Sequence, residues 1–263
     1  MLISHEVPIS MLNDSKKFND YDYCLLHLLD NPEYKDYYVQ ASKEGRKVLL
    51  DNSLFELGDA MSPEKLIEGT QIVKPYWYVV PDALNDANLT ISRFDNWLNS
   101  CYDKEAFGQS IGVVQGNTWK DMIECYSYMS VKADKIAIPA ILAIPFLERF
   151  PGDNISDLER SMLGRQMFIR DLMARGLWDY DKPHHLLGAT VAREFKDPIY
   201  NKLIETIDTS NPIVAGIKGL KYAEDGLNEK PKVKLCELID YQPDAATREL
   251  IDYNVKMFRD ICK

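Results

Sequence analysis

Short apolar runs alternate with longer amphipathic segments along the whole chain, and this alternation constrains the fold more than any other sequence feature. A near-continuous apolar run of roughly four to eight residues indicates a strand buried on both faces, as in a parallel sheet. Such runs occupy residues 23–29, 47–51, 77–82, 110–116, 135–140, 185–189, 204–208 and 213–217. The sequence therefore predicts eight parallel strands.

The segments between the runs have the spacing of amphipathic helices. We predict helices at residues 63–73, 89–101, 118–131, 156–178 and 244–262. Ser62 and Pro63 are typical of a helix start, Ser156 and Glu159 have the spacing of a capping box, and Asp244 is a predicted N-cap.

Eight strands alternating with helices over 263 residues are typical of one (β/α)8 TIM barrel. We therefore predict an α/β fold with a single domain over residues 1–263. A doubly wound open sheet is the alternative, but it usually carries a glycine-rich loop after its first strand, and none follows residues 23–29. Two long connections, 141–155 and 222–243, are candidates for functional loops.

The charge balance disfavours a protein that coats nucleic acid by bulk charge. The chain has 31 Lys and Arg residues and 41 Asp and Glu residues, which gives a formal net charge of −10. Such a total is compatible with a local basic groove.

The cysteines and the N-terminus point to a soluble cytoplasmic protein without membrane contacts. The five cysteines include no Cys-x-x-Cys pair, so thioredoxin and zinc-ribbon patterns are absent, and free thiols are expected. The first residues lack the basic and apolar regions of a signal peptide, and no run approaches the roughly 18 apolar residues of a membrane helix.

Polar residues end several of the predicted strands, where the catalytic groups of a barrel are found. The relevant ends carry Asp51, Asp82, Gln115 and Asp208. Carboxylates crowded at one rim have different pKa values, so one can attack an acetal-like carbon while another moves a proton. The alternative is that each aspartate only caps the backbone amides of its turn.

The order of these motifs resembles the tRNA-guanine transglycosylase family. The resemblance rests on short islands over most of the chain: Asp51, Val79-Val80-Pro81-Asp82, Gly112-Val113-Val114-Gln115-Gly116, His185-Leu186-Leu187-Gly188 and Asp208. It implies a TIM barrel that exchanges guanine for a 7-deazaguanine through a covalent sugar–enzyme intermediate.

The resemblance also implies a role for each matching residue. Asp208 corresponds to the nucleophile and Asp51 to the general acid/base. Base recognition falls to Asp82 and Gln115 together with Gly116, and Leu187 and Gly188 form a wall of the base pocket. Either Phe55 or Tyr222 is a candidate to stack on the base, although core packing is the stronger expectation for Phe55.

The sequence departs from the tRNA enzymes in two places. Their zinc subdomain, with its Cys-x-Cys-x-x-Cys motif, is missing, because residues 222–243 contain only Cys236. Their Asp-Ser-Gly-Gly-Phe-Gln motif reads Asp51-Asn52-Ser53-Leu54-Phe55-Glu56 here. A compact zinc-free chain is most similar to the DNA-modifying transglycosylases of phages and bacteria, which implies a DNA substrate, 7-cyano-7-deazaguanine or an analogue as incoming base, and a host-cytoplasmic location if a phage encodes it.

Further expectations concern partners. We expect no cofactor and no catalytic metal, since the chain has no His-x-His pair, and a homodimer or a partner protein stays open. Contacts to the nucleic-acid backbone are predicted at Arg193, Lys196, Lys218 and Lys221, and the 141–155 loop is a candidate for holding a flipped-out base.

Three rival functions stay open from the sequence. The first is the same guanine exchange on tRNA. The second is an unrelated barrel lyase or aldolase in which Lys218, at the end of the predicted eighth strand, forms a Schiff base. The third is a non-catalytic nucleic-acid-binding or scaffold protein.

Overall fold

The chain folds around eight parallel strands in one sheet of order β1-β8-β7-β6-β5-β4-β3-β2. The computed structural model describes residues 1–100, 102–140, 147–149, 151, 156–227, 231 and 233–263. The strands are β1 Leu2–His5, β2 Asp22–Leu25, β3 Val48–Asp51, β4 Trp77–Val79, β5 Gln109–Val113, β6 Lys135–Pro139, β7 His184–Leu187 and β8 Thr206–Thr209. The two end strands β1 and β2 lie close together, and Asp20 N, two residues before β2, donates to Ile3 O in β1 at 3.0 Å, so the barrel is nearly closed. The predicted TIM barrel is confirmed.

Helices surround the strands. They are α1 Leu12–Ser15, α2 Pro32–Lys43, α3 Leu54–Leu57, α4 Pro63–Val73, α5 Ala87–Asn99, α6 Tyr102–Glu105, α7 Trp119–Lys132, α8 Asp157–Ala174, α9 Pro198–Leu203, α10 Asn211–Ile217 and α11 Ala245–Ile261. Short 3-10 helices lie at Ile9–Met11, Leu26–Asp30, Ala192–Lys196 and Leu235–Leu238. No helix in these described stretches combines the length and apolar character needed to cross a bilayer.

The predicted helix starts are confirmed because their caps form. Ser62 accepts a hydrogen bond from Lys65 N, and Asp244 accepts one from Thr247 N at 2.8 Å. Ser156 and Glu159 form the reciprocal bonds of a capping box. The predicted helix 156–178 ends earlier, at Ala174, because Gly176 takes a left-handed conformation with φ of 68°.

One predicted strand was wrong and one observed strand was not predicted, so the count of eight is unchanged. The first strand, Leu2–His5, was missed because it is only four residues long and its apolar run ends at Ile3. Residues 213–217 lie instead in helix α10, which starts with Pro212 near its N-terminus. A short apolar run does not distinguish a buried helix from a buried strand. A Cβ at Gly216 would come 2.5 Å from Ile251 Cγ1, so the glycine allows α10 to pack closely on α11.

The core has two layers. Side chains facing outward from the strands pack against the helices, and those facing inward fill the barrel. The floor of the barrel is closed by Lys135, whose fully buried amine lies 4.0 Å from the Trp77 ring centre and 2.7 Å from Glu205 Oε2. Burial lowers the pKa of Lys135 to about 8. Cys24, Cys125, Cys236 and Cys262 are free thiols as expected, and Cys101 lies outside the described residues.

Candidate active site at the barrel mouth

The carboxyl ends of the strands bring the predicted polar residues to one end of the barrel. Asp51 ends β3 and Asp208 lies in β8, while Asp82 and Gln115 follow β4 and β5. Each of the four side chains is buried. Burial, followed by the charges of Asp51 and Asp208, raises the pKa of Tyr23 well above its usual range, so both carboxyl groups act on one phenol.

Asp51 is held by two donors. Tyr23 Oη donates to Oδ2 at 2.8 Å, and Ser53 N donates to Oδ1 at 2.7 Å. Ser53 takes a left-handed conformation with φ of 64°, which turns its amide back towards the carboxyl group. Burial raises the pKa of Asp51 well above its usual range, and the charge of Glu56 acts in the same direction. The raised pKa of Asp51 favours the protonated form that a general acid needs.

Asp82 and Gln115 form one hydrogen-bonded unit. Gln115 Nε2 donates to Asp82 Oδ2 at 2.7 Å, and Asn52 Nδ2 donates to Asp82 Oδ1 at 2.7 Å. Asn85 N donates to Gln115 Oε1 at 3.0 Å. Burial raises the pKa of Asp82, and the two amide donors oppose that effect. Because each carboxylate oxygen has two acceptor positions, Asp82 retains capacity to bind a ligand donor.

Asp208 lies between a backbone amide and an imidazole. Gly188 N donates to both carboxylate oxygens, at 3.0 and 3.2 Å, and His185 Nε2 lies 3.1 Å from Oδ1. Gly188 has a φ of 67°, a conformation that favours glycine. The sequence predicted Gly188 as a pocket wall, and the structure adds that its amide orients Asp208.

Two aromatic rings connect the two carboxyl groups through the barrel interior. Tyr23, which donates to Asp51, stacks on His185 with ring centres 6.3 Å apart, and His185 in turn contacts Asp208. Sequence reasoning missed the functional positions of Tyr23 and His185. The alternation along β7 showed that His184 and His185 face opposite sides, but which one faces inward depends on register.

Leu187 and Gly116 were also predicted to contact the base. Leu187 is half-buried and packs against the residues that fill the barrel. A Cβ at Gly116 would lie 2.7 Å from Met122 N, so the close approach of α7 accounts for this glycine.

The two aromatic candidates are separated by exposure. Tyr222 is buried, and its hydroxyl donates to Asn211, so its ring has almost no exposed surface on which a base could stack. Phe55 is 48% exposed on α3, which corrects the expectation of core packing. Lys234 Nζ lies 4.5 Å from the Phe55 ring centre. Phe55 is therefore the candidate that is free to stack.

The predicted cations lie on the segments that follow β7 and β8. Arg193 is 3.5 Å from Glu159, and Lys196 forms an ion pair with Asp225. Lys221 Nζ lies 4.4 Å from the Tyr253 ring centre.

The position predicted for Lys218 was wrong. It was expected at the end of an eighth strand, but it is exposed at the C-terminal end of α10, because residues 213–217 are helical. A Schiff-base lysine is normally held in a desolvated pocket. The structure therefore gives the lyase alternative no support at this residue.

The 141–155 loop, predicted to hold a flipped base, lies largely outside the described residues. Within the described ranges, no group of three or more His, Cys, Asp or Glu side chains is arranged to hold a metal ion. Comparison of the chain with models of protein families and with curated proteins found no match.

Proposed function

We propose that the chain is a base-exchange transglycosylase that replaces guanine in DNA by a 7-deazaguanine, such as 7-cyano-7-deazaguanine. One observation carries the proposal: two carboxyl groups are buried at one barrel mouth and have different hydrogen-bond partners. Both oxygens of Asp208 accept from the single N–H of Gly188, whereas burial favours the protonated form of Asp51. Such a pair suits displacement at a glycosidic carbon.

The reaction would proceed in two displacements. In the first, an Asp208 oxygen bonds to C1′, the C1′–N9 bond breaks, and Asp51 gives its proton to the departing guanine. In the second, the incoming base attacks C1′ through N9, Asp51 takes the N9 proton, and the ester bond to Asp208 breaks. The enzyme returns to its starting protonation state, so atoms and charges balance.

Base recognition would fall to the hydrogen-bonded unit of Asp82 and Gln115. The N1–H and 2-amino groups of guanine present two donors on one edge, and a carboxylate offers two acceptors to that edge. Asn52 and Gln115 hold the Asp82 carboxylate in place, with a donor on each oxygen. Phe55 is the exposed aromatic that could stack on the base.

DNA is preferred over tRNA in this proposal because the chain lacks the zinc motif of the tRNA enzymes. A duplex base has to be flipped out to reach a barrel mouth. Arg193 and Lys196 follow β7, whereas Lys218 and Lys221 follow helix α10, which comes after β8. In this proposal the four cations would contact the flanking phosphates.

The proposal is tested by incubating the protein with 7-cyano-7-deazaguanine and either DNA or tRNA, followed by digestion to nucleosides and mass spectrometry. We expect the modified nucleoside from DNA, its loss in Asp208→Asn, and normal exchange in Asp36→Asn, which changes an exposed aspartate on α2. Incorporation into tRNA alone would reject the DNA substrate. Normal exchange by Asp208→Asn would reject the nucleophile.

A further inference from the structure

Tyr23 lies inside the barrel and reaches the carboxyl group of Asp51 from the row of side chains below it. In the register of β2 with β3, Tyr23 pairs with Leu49, and Leu25 pairs with Asp51. Tyr23 packs in the inner layer of the core, and side chains on one face of a strand recur at every second residue. The phenol therefore spans one such step, and its hydroxyl donates to Asp51 Oδ2 at 2.8 Å.

The phenol ring is held in this position by its surroundings. It is buried, and it stacks on the His185 ring with centres 6.3 Å apart. The backbone of Tyr23 is tied to helix α2, because Tyr38 Oη donates to Tyr23 O at 2.6 Å. Among the described residues, Asp51 is the one hydrogen-bond partner of the Tyr23 hydroxyl. A buried hydroxyl proton without an acceptor is costly, so the hydroxyl has to donate to this carboxyl group.

The charged groups around the phenol favour its neutral form. Burial raises the pKa of Tyr23 well above its usual range, and the charges of Asp51, Asp208, Glu6 and Glu56 act in the same direction. The phenol therefore keeps its proton, and with it the capacity to donate, at neutral pH and well above it.

We propose that Tyr23 is a positioning residue for Asp51, whose hydroxyl orients the carboxyl group and stabilises the carboxylate that remains after the proton has moved to the leaving base. Ser53 N donates to Oδ1 at 2.7 Å, so each oxygen of Asp51 has one fixed donor. A hydrogen bond to a carboxylate is stronger than one to a neutral carboxyl group, so the contact strengthens as the proton leaves. The catalytic consequence rests on the proposed function, in which Asp51 is the general acid and base.

Neighbouring groups act on the protonation of Asp51 in opposite directions. Burial raises its pKa, as do the charges of Glu56 on α3 and Asp82 after β4, while the donors Ser53 N and Tyr23 Oη oppose this rise. Loss of the Tyr23 hydroxyl should therefore raise the pKa of Asp51 further. Tyr23→Phe is the matched change, because it removes the hydroxyl and keeps the ring.

This effect is measured without any substrate. The side-chain carboxyl carbon of Asp51 is followed by ¹³C NMR as a function of pH in protein labelled with ¹³C-aspartate, and Asp51→Asn identifies its signal. We expect Asp51 to titrate with a higher midpoint in Tyr23→Phe than in the wild type. An equal or lower midpoint would overturn the proposal.

Tyr37→Phe is the control, because it removes a similar hydrogen bond elsewhere. Tyr37 on α2 is buried, and its hydroxyl donates at 3.2 Å to the carboxyl group of Asp22, which is the neighbour of Tyr23 on β2. Asp51 should titrate at its wild-type midpoint in Tyr37→Phe. An equal rise of the midpoint in both variants would assign the effect to a general loosening of the fold and would overturn the role of Tyr23.

The catalytic consequence is measured in the base-exchange assay. Tyr23→Phe should lower kcat by about tenfold, because the Asp51 anion loses a donor, and should leave KM for the incoming base unchanged, because Asp82 and Gln115 are retained. The basic limb of kcat/KM for DNA should move to higher pH, because Asp51 keeps its proton to higher pH. A loss of activity that is equal at every pH would indicate a structural role and contradict the proposal.

The two proposals fail separately. A raised Asp51 midpoint in Tyr23→Phe, without base exchange by the wild type, would support the hold of Tyr23 on Asp51 and reject the transglycosylase function. Base exchange with an unshifted basic limb in Tyr23→Phe would support the function and reject the positioning role.

Discussion

The carboxyl group of Asp51 is buried with Glu56 nearby, and this environment has a cost in stability. Burial raises its pKa well above the usual range in the folded state, so the unfolded chain ionises first as the pH rises above roughly 4. The folded state then binds more protons than the unfolded state, and the free energy of unfolding falls with increasing pH. Asp51→Asn removes this fall in the free energy of unfolding, because an amide does not ionise. The variant keeps both contacts, since an amide can accept from Ser53 N and donate to Tyr23 Oη.

We therefore expect Asp51→Asn to raise the free energy of unfolding at pH 7 above that of the wild type, because the variant has no buried acid to ionise. The gain should shrink towards pH 4, and base exchange should be lost. Urea denaturation between pH 4 and 8 measures this gain in the free energy of unfolding, and Asp36→Asn, which changes an exposed aspartate, is the control. A gain that does not depend on pH would contradict the buried-acid assignment.

Residues at the strand ends could be predicted from the sequence, whereas their partners could not. Asp51, Asp82 and Asp208 follow apolar runs, and the carboxyl ends of parallel strands necessarily meet at one mouth. The neighbours Tyr23 and His185 lie within strands, and which side chains point inward follows from the register between strands. The position predicted for Lys218 was wrong for a related reason, because the apolar run before it, residues 213–217, forms a helix and not a strand.

At the scale of elements, one buried ion pair joins helix α8 to the segment after β7. Arg165 donates to both Glu194 oxygens, at 2.8 and 2.7 Å, and to Leu187 O at 3.0 Å, and both side chains are buried. The pair therefore fixes the carbonyl immediately before Gly188, whose amide contacts Asp208. The helix was predictable from its capping box, but its ion pair was not, because the arginines of the 156–178 segment recur without forming one face.

Glu194→Gln should destabilise the protein by about 3–5 kcal/mol, because it leaves the Arg165 guanidinium buried without its anion. Urea denaturation at pH 7 gives the loss, compared with Asp252→Asn, which breaks an exposed pair with Lys17 at 3.0 Å. The exposed variant should unfold at nearly the wild-type midpoint. Equal midpoints for the two variants would contradict the structural role of the buried pair.

At the scale of the whole molecule, a net charge of −10 means that the proposed DNA substrate would have to be held by a few placed cations. If Arg193, Lys196, Lys218 and Lys221 each neutralise one phosphate, the logarithm of the binding constant should fall against the logarithm of salt concentration with a slope of about −3 to −4.

The eight-strand count was predictable from periodicity, although one strand was missed and one helix was taken as a strand. The choice of nucleic acid depends on surface positions that periodicity does not encode.

Lys218→Ala and Lys221→Ala should each reduce the salt slope by about 1 without changing base preference. Fluorescence anisotropy with a labelled duplex, titrated at several salt concentrations, measures the slope. Lys132→Ala is the matched control, because it changes an exposed lysine at the C-terminal end of α7. An unchanged slope in both test variants would place the DNA path elsewhere on the surface.

The central claim, that Asp208 attacks C1′, is tested most directly by trapping the covalent intermediate. The protein is incubated with a guanine-containing oligodeoxynucleotide without an incoming base, denatured, digested and analysed by peptide mass spectrometry. The account predicts released guanine and a DNA adduct on the peptide that contains Asp208, with no adduct in Asp208→Asn. An adduct on a different residue, or base exchange that persists in Asp208→Asn, would contradict it.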